Sequence, residues 1–476
     1  MDGERGGCLT PRARAELRGG THRSRYGLPW ALCAVSMVVA GCTHREDPAS
    51  GPFEPQAAHT SSVADAVRAL AEERGIPPMP APPPVREGLQ RLGQALVFDK
   101  ILSGDRDIAC MTCHMPRFGL GDARSLALGQ HAVGLGPDRV HPAGQFIPRN
   151  APPLFNLFLQ DHLFWDGRVQ VENGALSTPA AEQVTQEMHE VFEFGALSAI
   201  GMFPVTNRAE MRGSAGENEL ADISDADLPA IWSALMLRLG ALPQYRQLFE
   251  EAYPGTPFEE MTFAHASNAM AGFMIAAYTF ANAPWDRFLR GNDRALTDQE
   301  LAGANRFLNA PCSQCHNGPA LSDDDFHNVA VAQFGPGQGN GVSNRDDFGR
   351  MNVTGDVADI YRFRSTPLRS VELTAPYGHA GEFADLARFI DHYSRSDLKL
   401  VAYSDADIPD PLLRGTLVDN TDDVIETRDV RILGVDFDEA FVEDVTAFML
   451  ALTDDQSRDL SRTIPKKVPS GLPVDR

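Results

Sequence analysis

Positive charge is scarce in this 476-residue chain. Lys and Arg total 42 against 65 Asp and Glu, a formal net charge of −23. A surface so acidic argues against nucleic acid as partner, because phosphates are held by clustered Lys and Arg, and it suits a basic protein partner. Cysteine is scarce too, with seven in the chain. Strand signals are sparse, and Gly and Pro are spread through long connecting stretches, so helices joined by loops are expected. The apolar run Leu28–Ala40 is shorter than the roughly 20 residues a membrane-spanning helix needs.

What is present is concentrated. Four of the seven cysteines fall in two strings, Cys110-Met111-Thr112-Cys113-His114 and Cys312-Ser313-Gln314-Cys315-His316. Each is a C-x-x-C-H haem-attachment motif. The thiols add to the two vinyl groups of one haem, and the adjacent histidine ligates its iron. One such string alone would also read as a redox dithiol or half a zinc site; two make covalent haem the reading.

The other cysteines, Cys8, Cys33 and Cys42, lie in an N-terminal stretch that reads as an export signal. Arg5, Arg12, Arg14, Arg18, Arg23 and Arg25 precede the apolar run, which stops at Val39-Ala40-Gly41-Cys42. That ending resembles a bacterial lipobox and implies cleavage before Cys42, lipidation of its thiol and periplasmic residence on a membrane. An ordinary cleaved signal with an incidental cysteine is the plainer reading. After cleavage removes Cys8 and Cys33, one cysteine is lipidated and four hold haem, so none remains for a disulfide.

The expected organisation is a signal peptide at 1–41, a Pro/Ala-rich tether at 42–85, a first haem domain at 86–292, a second at 293–455 and a flexible tail at 456–476. Within the tether, 63–74 has the pattern of one amphipathic helix. Leu89, Leu92 and Leu96 recur at helical spacing before the first motif. Before the second, Thr297-Asp298-Gln299-Glu300 has the form of a capping box, followed by Leu301, Ala304 and Leu308. Stretches 227–239 and 263–289 also read as helices, and Arg290–Asp293 as a boundary. The expected fold class is all-α, with two cytochrome c-like haem domains and long loops.

The order of further strings resembles the bacterial di-haem cytochrome c peroxidase and MauG family over about residues 89–452. These strings are Asp99-Lys100-Ile101-Leu102-Ser103-Gly104, Pro148-Arg149-Asn150-Ala151-Pro152, Phe164-Trp165-Asp166-Gly167-Arg168, Thr366-Pro367-Leu368-Arg369 and Leu373-Thr374-Ala375-Pro376-Tyr377-Gly378-His379. The resemblance implies a peroxide-using first haem, proximal ligand His114, and an electron-transfer second haem, proximal ligand His316. It implies that Glu210, before Met211, moves protons between the peroxide oxygens; read alone, Glu210 is a solvated loop carboxylate. Trp165 matches the family's tryptophan between the haems, although buried tryptophan is often mere packing. His131 is either the cap that leaves the first iron on reduction or a loop histidine, with His141 a weaker competitor. The chain departs from the family at Ile200, where a distal glutamine is common, and in an insertion of about residues 169–194.

The second iron's other ligand separates the branches: methionine in peroxidases, tyrosine in MauG. The matching position is Tyr393, which shares a helical face with Phe383, Leu386 and Phe389 or Ile390, whereas His392 falls off that face. A core tyrosine is the plain alternative, and Met351 a remote candidate ligand. A thioether favours reduced iron, whereas a phenolate favours oxidised iron. Tyr393 therefore tilts the expectation towards a MauG-like enzyme. The resemblance further implies a calcium ion held by Asn150, Thr374 and Pro376, and a histidine near the haem edge at His379. The expected reactants are hydrogen peroxide and either a small cytochrome or copper-protein donor, as in a conventional peroxidase, or a protein or organic substrate. A non-enzymatic di-haem electron carrier is the remaining reading.

Overall fold

The computed structural model describes residues 61–476, with side chains from residue 63 onward. Nine helical elements position the site. They are α1 (Ser61–Glu73), α2 (Glu87–Phe98), α3 (Cys110–Cys113), α4 (Leu228–Gly240), α5 (Phe263–Tyr278), α6 (Asp298–Asn309), α7 (Cys312–Cys315), α8 (Leu386–His392) and α9 (Glu439–Leu450). Strands are few: a three-stranded antiparallel sheet of 162–163, 169–172 and 175–177, and a pairing of Phe326–His327 with Phe363–Arg364. The fold is therefore mostly helical rather than purely so. Among the described residues no helix is long and apolar enough to cross a membrane.

Two apolar cores organise the chain, and each is built on one crossing of helices. Leu89, Leu92 and Leu96 bury the inner face of α2 against α5. Gly93 allows the approach: a Cβ there would stand 2.0 Å from the Ala269 carbonyl oxygen. The second core repeats the device. Leu301, Ala304 and Leu308 of α6 face α9, and a Cβ on Gly303 would stand 1.8 Å from the Asp444 oxygen. The capping box forms as the sequence implies: Thr297 Oγ1 accepts from Glu300 N at 3.2 Å, and Thr297 N donates to Glu300 Oε2 at 2.6 Å. The stretch 263–289 is not one helix. It breaks after Tyr278 and restarts at Pro284, since proline disfavours helical geometry in the residue before it and suits a helix's first turn.

The two ends of the described chain depart from expectation. Residues 63–85 are docked rather than a free tether: Ala64, Val67, Ala71 and Ile76 are buried in the second core, and Met79 N donates to Asp286 Oδ1 at 2.9 Å. The tail 456–476 is packed onto the first core through Leu460 and Val468. Ser470 Oγ donates to Asp99 Oδ1 at 2.6 Å, and Asp475 pairs with Lys100 at 2.7 Å. In both segments apolar side chains recur under a polar, Pro-bearing composition, and their partners lie hundreds of residues away. The insertion 169–194 likewise packs on the first core through Val169, Val184 and Met188. The leader 1–41 and Cys42 lie outside the described residues.

Candidate active site

Each attachment motif folds as one helical turn closed by its histidine: His114 N donates to Cys110 O at 3.0 Å, and His316 N to Cys312 O at 2.9 Å. Beyond each turn the chain places a carbonyl under the imidazole. His114 Nδ1 lies 3.1 Å from Leu120 O, and His316 Nδ1 lies 3.0 Å from Leu321 O. Both leucines sit in the left-handed region, at φ 62° and 51°, a strained conformation that recurs at both sites. With Nδ1–H committed to a carbonyl, Nε2 keeps its lone pair for a metal. Burial lowers the pKa of both imidazoles, which keeps them neutral as ligands must be. Burial also pushes the thiols up, Cys110 to about 11 and Cys113 and Cys312 to about 12.

Beside the second motif opens a mainly apolar cavity of about 190 Å³, partly open to solvent. Cys312, Cys315, His316, Leu386, Phe389, Ile390, Tyr393 and Met449 line it. Two thiols, a poised imidazole and apolar walls fit a covalently held haem. Tyr393 follows the last residue of α8, and its hydroxyl pKa is raised first by burial and then by Cys315 and Cys312. His392 points elsewhere, its Nε2 3.0 Å from Val329 O, and Met351 is not among the lining residues.

The first site gathers around Glu210. This residue lies on a π-helical turn, Arg208–Arg212, a geometry frequent at functional sites. Asn207 Oδ1 caps the turn by accepting from Ala209 N at 2.9 Å and Glu210 N at 3.1 Å. Burial raises the Glu210 carboxyl pKa, and the charges of Arg168 and Arg149 oppose the rise. Its charge in turn acts on Cys110 and Cys113, so the structure brings Glu210 to the first motif.

The segment carrying Trp165 touches both sites. The Trp165 indole lines the second cavity and donates from Nε1 to Asn150 O at 2.9 Å. Three residues on, Arg168 stacks over Phe164 at 3.7 Å and faces Glu210 electrostatically. A buried ion-pair chain fixes this segment: Arg149 meets Asp166 at 2.6 Å and Asp347 at 2.7 Å. Burial would raise the Asp166 carboxyl, but Arg149 and Arg168 outweigh it and hold it down at about 2.

Asn150, Thr374 and Pro376 all line the second cavity. Asn150 Nδ2 donates to Arg124 O at 2.9 Å, which turns its Oδ1 the other way. His379 joins the same wall; its ring stacks on Phe363 at 3.7 Å and its Nδ1 lies 2.8 Å from buried Glu382. His131 is placed differently. It is exposed, and its Nε2 lies 2.6 Å from Asp105 Oδ2, so the structure shows it paired at the surface rather than beside His114.

Sequence reasoning missed His327, buried in the same wall between Asp323 at 2.9 Å and Asp429 at 3.0 Å. Burial would lower its pKa, but Asp323 and other partners prevail and lift it to about 10. Its only sequence signal is proximity to the second motif. Arg168 was visible as part of the tryptophan string but not as a partner of Glu210.

Residues 87–294 match the family model of the di-haem cytochrome c peroxidases. Cytochrome c551 peroxidase of Pseudomonas aeruginosa is 29% identical over 305 residues, 64% of this chain and 70% of that protein. Methylamine utilization protein MauG of Methylorubrum extorquens is 28% identical over 369 residues, 77% of this chain and 86% of that one. The crystal structure of a MauG-like protein associated with microbial copper homeostasis shares the fold at a TM-score of 0.56 and 24% identity, covering 82% of this chain and 96% of its own. With both attachment motifs built and relatives on both branches, the chain is similar to the di-haem cytochrome c peroxidases and to MauG, through the family model over residues 87–294 and through relatives that match about two thirds to three quarters of its length.

Proposed function

We propose that the chain is a MauG-like di-haem peroxidase, with hydrogen peroxide used at the first site and electrons entering through the second. The observation that carries this reading is Tyr393, which lines the second cavity with Cys312, Cys315 and His316, where Met351 does not. Cys110, Cys113 and His114, and likewise Cys312, Cys315 and His316, would each hold a haem c, which would supply the redox chemistry for a two-electron, two-proton reduction of peroxide to water.

The residues around it do the rest. Glu210 takes a proton from one peroxide oxygen and returns it to the other; its raised pKa suits both directions, since a proton shuttle works best with a pKa near the ambient pH. Arg168 and Arg149 limit that rise and keep the carboxylate accessible. Trp165 provides the aromatic link between the sites, on a segment held rigid by Asp166, Arg149 and Asp347. Tyr393 would offer a hard oxygen donor to a haem held beside Cys312, Cys315 and His316, and such a donor favours oxidised iron.

Calcium at Asn150, Thr374 and Pro376 would couple the sites structurally; neutral oxygen donors beside the second cavity suit that ion. We place the protein in the periplasm, anchored through lipidated Cys42, with an electron donor or a protein or organic substrate outside the chain. A net charge of −23 favours a basic donor.

Low-temperature EPR of the oxidised holoprotein tests this. A high-spin ferric signal before any reduction is expected, together with a low-spin signal that Tyr393→Met changes. Two low-spin signals, one turning high-spin only after one-electron reduction, would refute the MauG-like assignment in favour of a conventional cytochrome c peroxidase.

A further inference from the structure

Four charged side chains meet beside the second attachment motif, and the roles assigned above use none of them. Asp323 closes the loop that follows the motif, its backbone N donating to Cys315 O at 2.7 Å. His327 stands in the short strand 326–327, and Asp429 caps the turn 430–432 by accepting from Arg431 N at 2.9 Å. These three segments bring their side chains together at the cavity wall. His327 Nε2 lies 2.9 Å from Asp323 Oδ2, and its Nδ1 lies 3.0 Å from Asp429 Oδ2. Arg431 Nε lies 3.0 Å from Asp429 Oδ1, and another of its nitrogens lies 3.8 Å from Asp323 Oδ2. Cys315 Sγ, a ring nitrogen of His327 and a carboxylate oxygen of Asp323 all lie within 4.8 Å of one another.

This geometry fixes the charge on His327. A carboxylate only accepts hydrogen bonds, so an imidazole facing one at each nitrogen carries both protons. Burial would raise the two carboxyls, but His327 on Asp323 and Arg431 on Asp429 prevail and hold both down as ionised partners. The imidazole is 4% exposed and the Asp429 carboxylate 8%, whereas the Arg431 side chain, at 32%, reaches solvent. Two anions and two cations leave the group neutral. The trio of Cys315, Asp323 and His327 is no metal site, because both imidazole nitrogens are committed to carboxylates and the thiol belongs to the attachment motif.

We propose that His327 is a positioning residue of the second haem site: it is the counter-ion that lets two buried carboxylates stand beside the attachment thiol, and it thereby holds up the reduction potential of a haem bound there. Reduction adds an electron, and an uncompensated anion nearby opposes that step by simple electrostatics. Without His327 the group would carry one net negative charge in a buried place, where salt and water screen it weakly. Arg431 acts in the same sense from the solvent side. The effect is opposite in sign to that of an oxygen ligand at Tyr393, so the two act as separate levers on one site. This role requires haem c held by the second motif but neither Tyr393 ligation nor the MauG-like branch, so the two readings can fail separately.

Spectroelectrochemical titration of the di-haem holoprotein tests this. The haem at Cys312 and Cys315 is identified as the one whose midpoint and spectrum His316→Met alters. His327→Gln keeps a hydrogen-bond donor but no charge, and it is expected to shift that midpoint downwards while leaving the other in place. Combining His327→Gln with Asp429→Asn removes one charge of each sign and is expected to return the midpoint towards wild type. A purely structural role would give no such recovery. Where His327→Gln fails to retain both haems by the pyridine haemochrome count, Arg431→Gln at the partly exposed position decides: a smaller downward shift supports the role, and an unchanged midpoint overturns it. A downward shift in a protein whose EPR refutes the MauG-like assignment would leave the role of His327 standing. An unchanged second midpoint in His327→Gln with both haems retained, or a double variant displaced further than the single one, would overturn it.

Discussion

Replacing Glu210 by glutamine isolates the proton-moving role from packing, because the two side chains have nearly the same shape. In the folded chain burial raises the pKa of this carboxyl, with Arg168 and Arg149 opposing. The amide keeps the shape of the carboxyl and removes the ability to take up and release a proton. General acid–base assistance of this kind contributes about 10²–10⁴-fold to rate, or roughly 3–5 kcal/mol at about 1.4 kcal/mol per tenfold. Stopped-flow mixing of the holoenzyme with hydrogen peroxide is expected to show a fall of that size in the rate of the haem absorbance change.

Stability should not fall with it. A carboxyl whose folded pKa is raised costs stability as pH climbs above its unfolded value of about 4.3, and Glu210→Gln abolishes that cost. The variant is expected to melt at or above the wild-type temperature at pH 7, which rules out unfolding as the cause of a lost rate. A Glu210→Gln protein retaining both haems and reacting within tenfold of wild type would refute the assignment.

Four further outcomes follow from the geometry. Gly303→Ala places a methyl 1.8 Å from the Asp444 oxygen and should destabilise by about 1–3 kcal/mol, seen as a lower melting temperature of the holoprotein; no change would mean the crossing of α6 and α9 is looser than described. Tyr393→Met exchanges a hard oxygen for a thioether and should raise the potential of one haem only in spectroelectrochemical titration. Asp166 is held at about 2 against an ordinary 3.8, so its contribution is complete above pH 3.8 and is lost as pH falls through about 2. That amounts to roughly 2–3 kcal/mol, and urea unfolding across that window should show it shrink in wild type but not in Asp166→Asn. Ending the chain after Asp455 strips Leu460 and Val468 from the first core and should lower the melting temperature by several degrees; an unchanged melt would return the tail to the loose segment its composition suggests.

What could be read from the sequence was local. Leu89, Leu92 and Leu96 announce a buried helix face by spacing alone, and Thr297 with Glu300 announces its own cap, because both signals complete themselves within one or two turns. The apolar face that Tyr393 shares with Leu386 and Phe389 was legible by the same logic, whereas its place as a ligand candidate came from the resemblance alone. Glu210 was not. Its turn depends on Asn207, but its environment depends on Arg149 and Arg168, and a string of loop residues carries no sign of the charges folded against it. His131 fails the same test in the other direction. Counting from His114 says how far along the chain it lies, while Asp105 and Glu217, on two other loops, decide where its imbalance of charge is satisfied. The small strands and the packing of the 169–194 insertion onto the first core were not legible because short pairings are set by tertiary contact rather than by propensity.

The ends of the described chain carry a consequence for how the two sites stay in register. Helix α1 precedes the first motif, yet Ala64, Val67, Ala71 and Ile76 are buried in the core that holds the second. The tail follows the second motif, yet Asp475 accepts at 2.6 Å from Thr112 Oγ1, between the two cysteines of the first. Each core is completed by a segment from the far side of the other. Middle contacts add to this: Ser125 Oγ donates to Gly381 O at 3.0 Å, and a Cβ on Gly119 would stand 2.1 Å from the Leu373 oxygen. Relative movement of the two cores would therefore expose apolar surface at both terminal segments and break hydrogen bonds at the first attachment turn itself. A chain divided at residue 292 is expected to yield two fragments that each lack part of their own core. Their poor solubility apart, and recovery when mixed, would show that the far-side segments hold the two haem sites at a fixed separation. Two fragments that each fold and melt cooperatively alone would show that they do not.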